Sequence, residues 1–366
     1  MNKTKKTIKG TQNIKKKKQF KISPKIWIAT SAVLGLLLIG AILFDQLYKR
    51  PLITIEGEKL YLEDLTYYFY NSESTYDYMN QLFGGSYWDM TYDYSTGMTV
   101  RDYAKLETIN NVIYTEVLYR EAVANGYTLT QEEENTIKED IDKFLNDSGL
   151  SEKFIERNGF TPEYLTEIFT KIKLAERYKQ DVIDLLPIDE EAIKADINYD
   201  EYRQYDIEYL FISTKKTNEE NSSTEPMSED EKKAAYDKIA DMREKALNTE
   251  DWSTLVPVEE NELRYLKTNF LAKDTFFTDE FKESVMALEN GEISEILETE
   301  DGYYVVRMIN NNSSEAYNNA VEQAIKDKEE EAFSKQYTEN ILPKYDYKLH
   351  ERAIRNLRMG RITMVD

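Results

Sequence analysis

The spacing of apolar and polar residues divides the chain into a mostly helical part, a mixed part and a final helix. The helical period is clearest over residues 99–125, where apolar side chains recur at steps of three and four: Leu106, Ile109, Ile113 and Val117. Gly126 ends this helix, and Thr130 with Glu133 three residues later predicts a capping box for the next one. Further helices are predicted over residues 152–158, 161–183, 189–198, 229–247 and 314–341.

The mixed part alternates short strands with short helices. Strands are predicted at Tyr205–Ile212, Leu263–Leu266 and Tyr303–Met308, with a short amphipathic helix from Phe277 before the last of them. The dipeptides Asn290-Gly291 and Asp301-Gly302 predict turns on either side of an apolar return, and residues 311–313 predict a hinge. This order indicates an α+β fold.

A charge-free apolar segment of 19 residues, Ile26 to Phe44, precedes all of these elements. As a helix it would measure roughly 28 Å, which is enough to cross the core of a bilayer. Ten lysines and no acidic residue lie in residues 1–25. The positive-inside rule therefore predicts a single-pass signal anchor over residues 26–44, with a cytoplasmic tail at 1–25 and an extracytoplasmic remainder in the cell membrane. A cleaved signal peptide is the competing interpretation, although the apolar run is long for one.

Charge is unevenly distributed along the chain. Residues 51–366 hold 35 basic and 68 acidic side chains, a net charge of −33. Such a body is repelled by phosphates, so we expect no nucleic-acid partner. The lysine-rich tail could by itself bind RNA, but its position directly before an apolar run favours the topological role.

Cysteine is absent and histidine occurs once, at position 350. Disulfides, thiol nucleophiles and mechanisms with two histidines are thereby excluded. His350 lies in a basic tail, Lys344–Arg361, where we expect a surface residue rather than a catalytic base. The carboxylates follow no calcium-loop or two-metal spacing, so neither a metal nor a cofactor is expected.

Tyrosines and other aromatic residues crowd residues 61–94. They could cap a small core with their hydroxyl groups in water, or they could form an adhesive surface for unfolded chains. On the second interpretation the candidate client-binding residues are Tyr67, Tyr68, Tyr70, Tyr87 and Trp88.

Four phrases in a fixed order resemble SurA/PrsA-type extracytoplasmic foldases: Ile53–Leu60, Tyr119–Thr130, Phe154–Leu165 and Leu186–Ile193. The block Phe277–Met308 resembles the C-terminal half of a parvulin-type peptidyl-prolyl isomerase domain. The resemblance implies a discontinuous, mostly helical chaperone domain (51–200 and 314–366) whose C-terminal helix and tail pack on the N-terminal part. A parvulin-like α+β domain (203–310) would be inserted in it.

The parvulin resemblance also implies a proline pocket, for which Phe277, Phe281 and Leu263 are the candidates. The two family histidines match Tyr209 and Tyr304 here. Thr299 matches a family threonine, and Asp301 is a further catalytic candidate at the turn. The replacement of both histidines predicts weakened or lost isomerase activity.

We therefore expect a folding factor of the prolyl isomerase family that is anchored in the membrane by residues 26–44. It would bind unfolded or newly exported polypeptides. An active isomerase and a non-catalytic scaffold for a membrane complex are the alternatives, and the oligomeric state is open.

Overall fold

A computed structural model describes residues 49–217, 224–256 and 262–364. Its α-helices are α1 Thr66–Leu82, α2 Val100–Ala124, α3 Gln131–Asp142, α4 Glu152–Arg157, α5 Pro162–Asp184, α6 Glu190–Asp196, α7 Tyr199–Tyr202, α8 Glu229–Ala246, α9 Asp279–Met286, α10 Glu315–Gln336 and α11 Glu351–Asn356. Its strands are β1 Ile53–Ile55, β2 Glu58–Leu60, β3 Thr91–Asp93, β4 Met98–Thr99, β5 Gln204–Ser213, β6 Lys215–Thr217, β7 Thr224–Pro226, β8 Leu263–Leu271, β9 Leu297–Glu298, β10 Gly302–Ser313 and β11 Tyr347–Leu349.

The predicted tail (1–25) and anchor (26–44) lie outside the described residues. Within the three described ranges, no helix combines the length and the apolar character that a membrane span requires.

The chain forms two compact units. The discontinuous unit comprises the described residues up to Glu176 together with the segment from Leu342, and the contiguous unit is Arg177–Ile341. The division falls within α5. The units differ from the predicted domains in where α10 belongs. Helix α10 contacts α6 and α7 and is part of the contiguous unit, and only the tail after Ile341 belongs to the discontinuous unit.

A three-stranded antiparallel sheet joins the beginning and the end of the discontinuous unit. Its strand order is β11-β1-β2, with Ile53 opposite both Leu349 and Leu60. Helix α2 supplies fully buried side chains such as Ile109 and Val117. Its N-cap is Thr99, as the helical spacing predicts, and Thr130 with Glu133 forms the predicted capping box of α3.

A buried carboxylate fixes the C-terminal tail to helix α1. Glu73 is fully buried and accepts hydrogen bonds from the backbone amides of five successive residues, Gly360 to Met364. The hydroxyl of Thr363 donates a sixth, at 2.6 Å. Burial of a carboxylate is tolerated because every lone pair has a donor. We call this arrangement the Glu73 clasp.

The contiguous unit is built on a four-stranded antiparallel sheet with the order β8-β5-β10-β9. Successive side chains of a strand point to opposite faces, so the sheet buries two separate apolar clusters. One face carries Tyr209, Phe270 and Val306 against helix α9, and the other carries Leu210, Leu263 and Val305 against helix α8.

Gly302 begins β10 at a point where no side chain fits. A Cβ atom there would lie 2.1 Å from the carbonyl oxygen of Ile212 and 2.7 Å from the ring of Phe211. The predicted Asp301-Gly302 turn therefore needs glycine at position 302, because β10 approaches β5 too closely there for any side chain.

The hinge expected at residues 311–313 is instead part of β10. The amide of Asn311 donates to the side-chain oxygen of Asn290 at 2.7 Å, and its side-chain amide donates to the carbonyl of Leu288 at 3.0 Å. Arg203 also donates to the Asn311 carbonyl at 2.9 Å. These bonds extend the strand through a sequence whose polar composition resembles a linker.

Candidate functional site

Four aromatic residues meet on the α9 side of the sheet, and we call them the sheet-face aromatics: Tyr209, Phe277, Phe281 and Tyr304. Phe277 stacks on Phe281 with ring centroids 4.4 Å apart, and the Phe281 and Tyr304 centroids are 5.0 Å apart. Tyr209 completes the set, with its ring centroid 5.4 Å from that of Tyr304 and 6.0 Å from that of Phe277. The structure thus brings together the two tyrosines and the two phenylalanines that the sequence pairs separately.

Local capping positions the two phenylalanines. Thr278 is the N-cap of α9, and its hydroxyl accepts from the amide of Phe281, which places Phe277 just before the helix and Phe281 in its first turn. Lys282 is buried beside them and donates to the carbonyls of Ala272 and Asp274 at 2.8 and 2.7 Å. The loop that leads from β8 to α9 is thereby held in one conformation.

The environment keeps both phenols protonated at neutral pH. Burial, and then the neighbouring Tyr209 and Asp301, raise the pKa of Tyr304 to about 12. Burial also raises the pKa of Tyr209, while the nearby Arg264 opposes the shift. Neutral phenols can donate hydrogen bonds to a carbonyl oxygen, but at physiological pH they do not exchange protons as imidazoles do.

Leu263 is not brought together with these residues. It lies in the cluster on the opposite face of the sheet, with Trp252 and Ile239. The period of two along β8 places Leu266 on the same face as its cross-strand partner Tyr209. Leu266, which is 41% exposed, is therefore the β8 leucine that lies directly opposite one of the sheet-face aromatics.

Thr299 and Asp301 shape the turn before β10. The Thr299 hydroxyl donates to the Gly302 carbonyl at 3.0 Å and accepts from the amides of Asp301 and Gly302, both at 3.3 Å. The Asp301 carboxylate is exposed and pairs with Lys215 at 2.6 Å. The Thr299 hydroxyl therefore forms the turn, and the Asp301 carboxylate connects the turn to β6 through Lys215.

A second aromatic surface lies in the discontinuous unit, on the C-terminal half of α1 and the segment that follows it. We call it the 76–94 surface. Its rings stack in a row from Phe83 to Tyr87 (5.4 Å), from Tyr87 to Tyr76 (6.4 Å) and from Tyr76 to Trp88 (5.6 Å). Large apolar side chains of the same segment are exposed: Tyr78, Leu82, Phe83, Met90, Tyr92 and Tyr94.

The five predicted client-binding residues do not form one group. Tyr87 and Trp88 belong to the row of the 76–94 surface, although Trp88 itself is buried. Tyr68 is buried, and Tyr70 packs against Phe144 and Phe160 with ring centroids 5.5 and 5.4 Å away. The more exposed members of the surface, such as Leu82 and Phe83, could have been found from their position directly before Gly84-Gly85.

Tyr67 lines a groove of about 820 Å³ within the discontinuous unit. Phe169 and Phe144 flank its ring, with centroids 5.0 and 5.8 Å away. Asp140 and Lys143 are among the charged residues along the groove. Its lining is therefore mixed, with a charged border around an apolar floor.

His350 is a half-buried structural residue. Its Nε2 atom lies 2.9 Å from the hydroxyl of Thr54, and its amide donates to the Leu52 carbonyl at 3.0 Å. Burial, and then Lys348 and Lys59, lower the pKa of the imidazole. In the described ranges no group of three or more His, Asp or Glu side chains is placed to hold a metal ion.

No protein-family model and no curated protein matches this chain. Among solved structures, one described with PEB4 and Cj1289, two SurA-like chaperones of Campylobacter jejuni, is 10% identical. That match covers 82% of this chain and 98% of the other, with a TM-score of 0.31.

The foldase protein PrsA of Lactococcus lactis is 13% identical, with coverage of 83% and 96% and a TM-score of 0.31. Foldase protein PrsA of Streptococcus pneumoniae is 16% identical, with coverage of 68% and 87% and a TM-score of 0.29. All of these are chaperones or foldases of the class that the sequence resembles. At TM-scores this low, their activities say nothing about the activity of this chain.

Proposed function

We propose that this protein is a membrane-anchored, extracytoplasmic folding factor that holds unfolded or newly exported polypeptides. The observation that carries the proposal is the 76–94 surface. Soluble proteins rarely leave a group of large apolar side chains exposed unless the group binds something. Tyr94 is 91% exposed, Tyr78 65% and Leu82 64%. Rings and flexible side chains of this kind can bind apolar segments of many sequences.

The holding activity is tested by the aggregation of a chemically denatured client protein after dilution, with and without the full chain. The double variant Leu82→Ser/Tyr94→Ser should suppress aggregation less well than the unmodified chain. The matched control is Leu185→Ser/Tyr236→Ser, which removes two exposed apolar side chains (85% and 45% exposed) of the contiguous unit. Equal suppression by the two double variants would contradict the proposal.

We also propose that the contiguous unit is a parvulin-like domain whose isomerase activity is weak or lost. The sheet-face aromatics have the apolar character that a proline pocket requires, although Tyr209, Phe277 and Phe281 are almost wholly buried in the core of the unit. The N-cap of α9 and Lys282 hold the two phenylalanines in place. Where the family resemblance implies two imidazoles, however, the structure has two protonated phenols, Tyr209 and Tyr304. The polar network that would favour the twisted amide would therefore consist of phenol groups instead of imidazole groups.

The rate of cis–trans exchange in a proline-containing tetrapeptide, measured by NMR exchange spectroscopy, tests this assignment. We expect the full chain to raise the rate little, and Tyr209→His/Tyr304→His to raise it more. Tyr236→His, which introduces a histidine at an exposed tyrosine of the same unit, is the control. Efficient exchange with the unmodified chain, lost in Phe281→Ala, would instead support the second candidate function, an active prolyl isomerase.

A scaffold function is the alternative from another class. Binding of one folded partner without any effect on client aggregation would favour it.

Membrane anchoring is tested separately, because deletion of residues 26–44 should release the protein from the membrane fraction. Retention of that deletion variant in the membrane would contradict the predicted anchor.

A further inference from the structure

We propose that the 76–94 surface selects client segments that are both apolar and positively charged. This inference names the client class of the surface, and it rests on the proposed holding function.

The first part of the argument is the continuity of the aromatic row. Tyr76 donates a hydrogen bond through its hydroxyl to the Glu107 carboxylate at 2.7 Å. The pKa of Tyr103 is raised first by its hydrogen bond with Tyr92 and then by the charge of the same Glu107 carboxylate. Tyr103 in turn stacks on Tyr92 with ring centroids 3.7 Å apart. The aromatic row therefore continues through α2 to Tyr92 in strand β3. The Glu107 carboxylate lies between the stack that contains Tyr76 and the stack of Tyr92 on Tyr103.

The second part is the sign of the charge along this surface. Residues 66–100 contain four acidic side chains, Glu73, Asp77, Asp89 and Asp93, and no lysine or arginine. Glu73 is buried in its clasp and Asp89 pairs with Arg101, which leaves Asp77 and Asp93, together with Glu107 of α2, as the carboxylates of the surface. Hydrogen bonds from Ser95 and Thr96 lower the pKa of Asp93, so this carboxylate remains charged in mildly acidic media.

The third part is that the two cations of α2 nearest the row are already engaged. Arg101 pairs with Asp89 at 3.1 Å and lies over the ring of Trp88, and its side chain is only 14% exposed. Lys105 pairs with Asp102 at 3.4 Å and is also largely buried. On the side of Trp88, Gly360 lies against the ring and is flanked by the exposed Arg358 and Arg361. The negative charge that an incoming segment meets beside the aromatic faces is therefore that of Asp77, Asp93 and Glu107.

Lysine and arginine side chains suit this combination for two reasons. Their alkyl stems can cover apolar surface while their charged ends remain in water. The charged ends are attracted both by carboxylates and by the faces of aromatic rings. A negatively charged segment or an anionic lipid surface would meet like charge instead.

The test compares two fluorescent, unstructured peptides of equal length with the same leucine and tyrosine residues, one carrying four lysines and the other four glutamates. Binding to the full chain is measured by fluorescence anisotropy at low ionic strength. We expect the lysine peptide to bind about tenfold more tightly, and 0.5 M salt to reduce the preference to roughly twofold, since exposed ion pairs are weak and screened.

A charge variant locates the preference. Asp77→Asn/Asp93→Asn/Glu107→Gln should weaken binding of the lysine peptide by roughly five- to tenfold and leave that of the glutamate peptide unchanged or tighter. The control Glu132→Gln/Glu134→Gln/Glu139→Gln removes the same charge from exposed positions of α3. We expect it to change binding of the lysine peptide less than twofold.

Three outcomes would overturn the inference: equal affinity for both peptides, equal weakening by the two triple variants, or stronger binding to anionic lipid vesicles than to the lysine peptide. Each of these would leave the holding function intact if client aggregation is still suppressed. Failure to bind either peptide, together with no suppression of aggregation, would instead contradict the proposed function itself.

Discussion

Replacing Glu73 by glutamine should release the C-terminal tail from helix α1. The substitution keeps the shape of the side chain but turns one of its two oxygens into an NH₂ group. Oε1 accepts from the amides of Gly360, Arg361 and Ile362, and Oε2 accepts three further bonds from Thr363 and Met364. Whichever oxygen is replaced, at least two backbone amides lose their acceptor and face another donor, because only the Thr363 hydroxyl can rotate to accept from the new NH₂ group.

The magnitude follows from those unsatisfied amides. At about 1.5 kcal/mol for each buried amide that loses its acceptor, the loss of two would destabilise the tail by about 3 kcal/mol. Opening of the tail would then be roughly 100-fold more frequent, because 1.4 kcal/mol corresponds to a factor of ten. The free energy that the substitution costs cannot exceed the free energy of detaching the tail. Once the tail is detached, its amides form hydrogen bonds with water.

Hydrogen–deuterium exchange of the peptide that covers residues 360–364 measures this opening directly. We expect exchange on the order of 100-fold faster in Glu73→Gln than in the unmodified chain. Glu132→Gln, at an exposed position of α3, is the control and should exchange in this peptide at the unmodified rate. Unchanged protection of these amides in Glu73→Gln would refute the assignment of Glu73 as their acceptor.

The remaining predictions concern one close backbone approach and one titrating group. Gly302→Ala should destabilise the contiguous unit by about 3 kcal/mol in urea unfolding, because its Cβ would overlap the Ile212 carbonyl; Gly291→Ala, whose Cβ meets nothing within 4 Å, should cost only about 1 kcal/mol for its positive φ. A smaller effect at Gly302 than at Gly291 would contradict the steric argument. Because His350 has a pKa below its ordinary value of 6.5, the folded state favours the neutral imidazole. The discontinuous unit should therefore lose stability as the pH falls below 6.5, and His350→Gln should lose less between pH 7 and pH 5. Equal pH dependence of the two proteins would show that His350 contributes nothing.

Local signals predicted most of the elements correctly. The capping box of Thr130 and Glu133 defines a helix start because both partners lie within four residues of each other. Strand β5 was recognisable from the apolar run at its end, Tyr209–Ile212, and its side chains are buried on both faces of the sheet. Such features need no knowledge of the rest of the chain.

The features that were predicted wrongly or missed depend on residues far away in the chain. Which face of the sheet Leu263 occupies depends on the register of β8 against β5, and the sequence of β8 alone does not give that register. The role of Glu73 depends on amides 287 to 291 residues further along the chain. A glutamate on a polar helix looks like a solvated residue until its distant partners are known. The pairing of Tyr209 with Tyr304, in contrast, followed from the family resemblance before any geometry was known.

The β1–β11 pairing has a consequence for the order of folding during synthesis. Thr54 lies opposite Lys348, so nearly the whole described chain must be made before this sheet can close. The contiguous unit lies between these two strands in sequence and needs neither of them. We expect it to fold first, because chain segments fold as they emerge and closing a long loop carries an entropic cost. Until strand β11 and residues 360–364 have been synthesised, the N-terminal helices of this protein are themselves part of an incompletely folded chain.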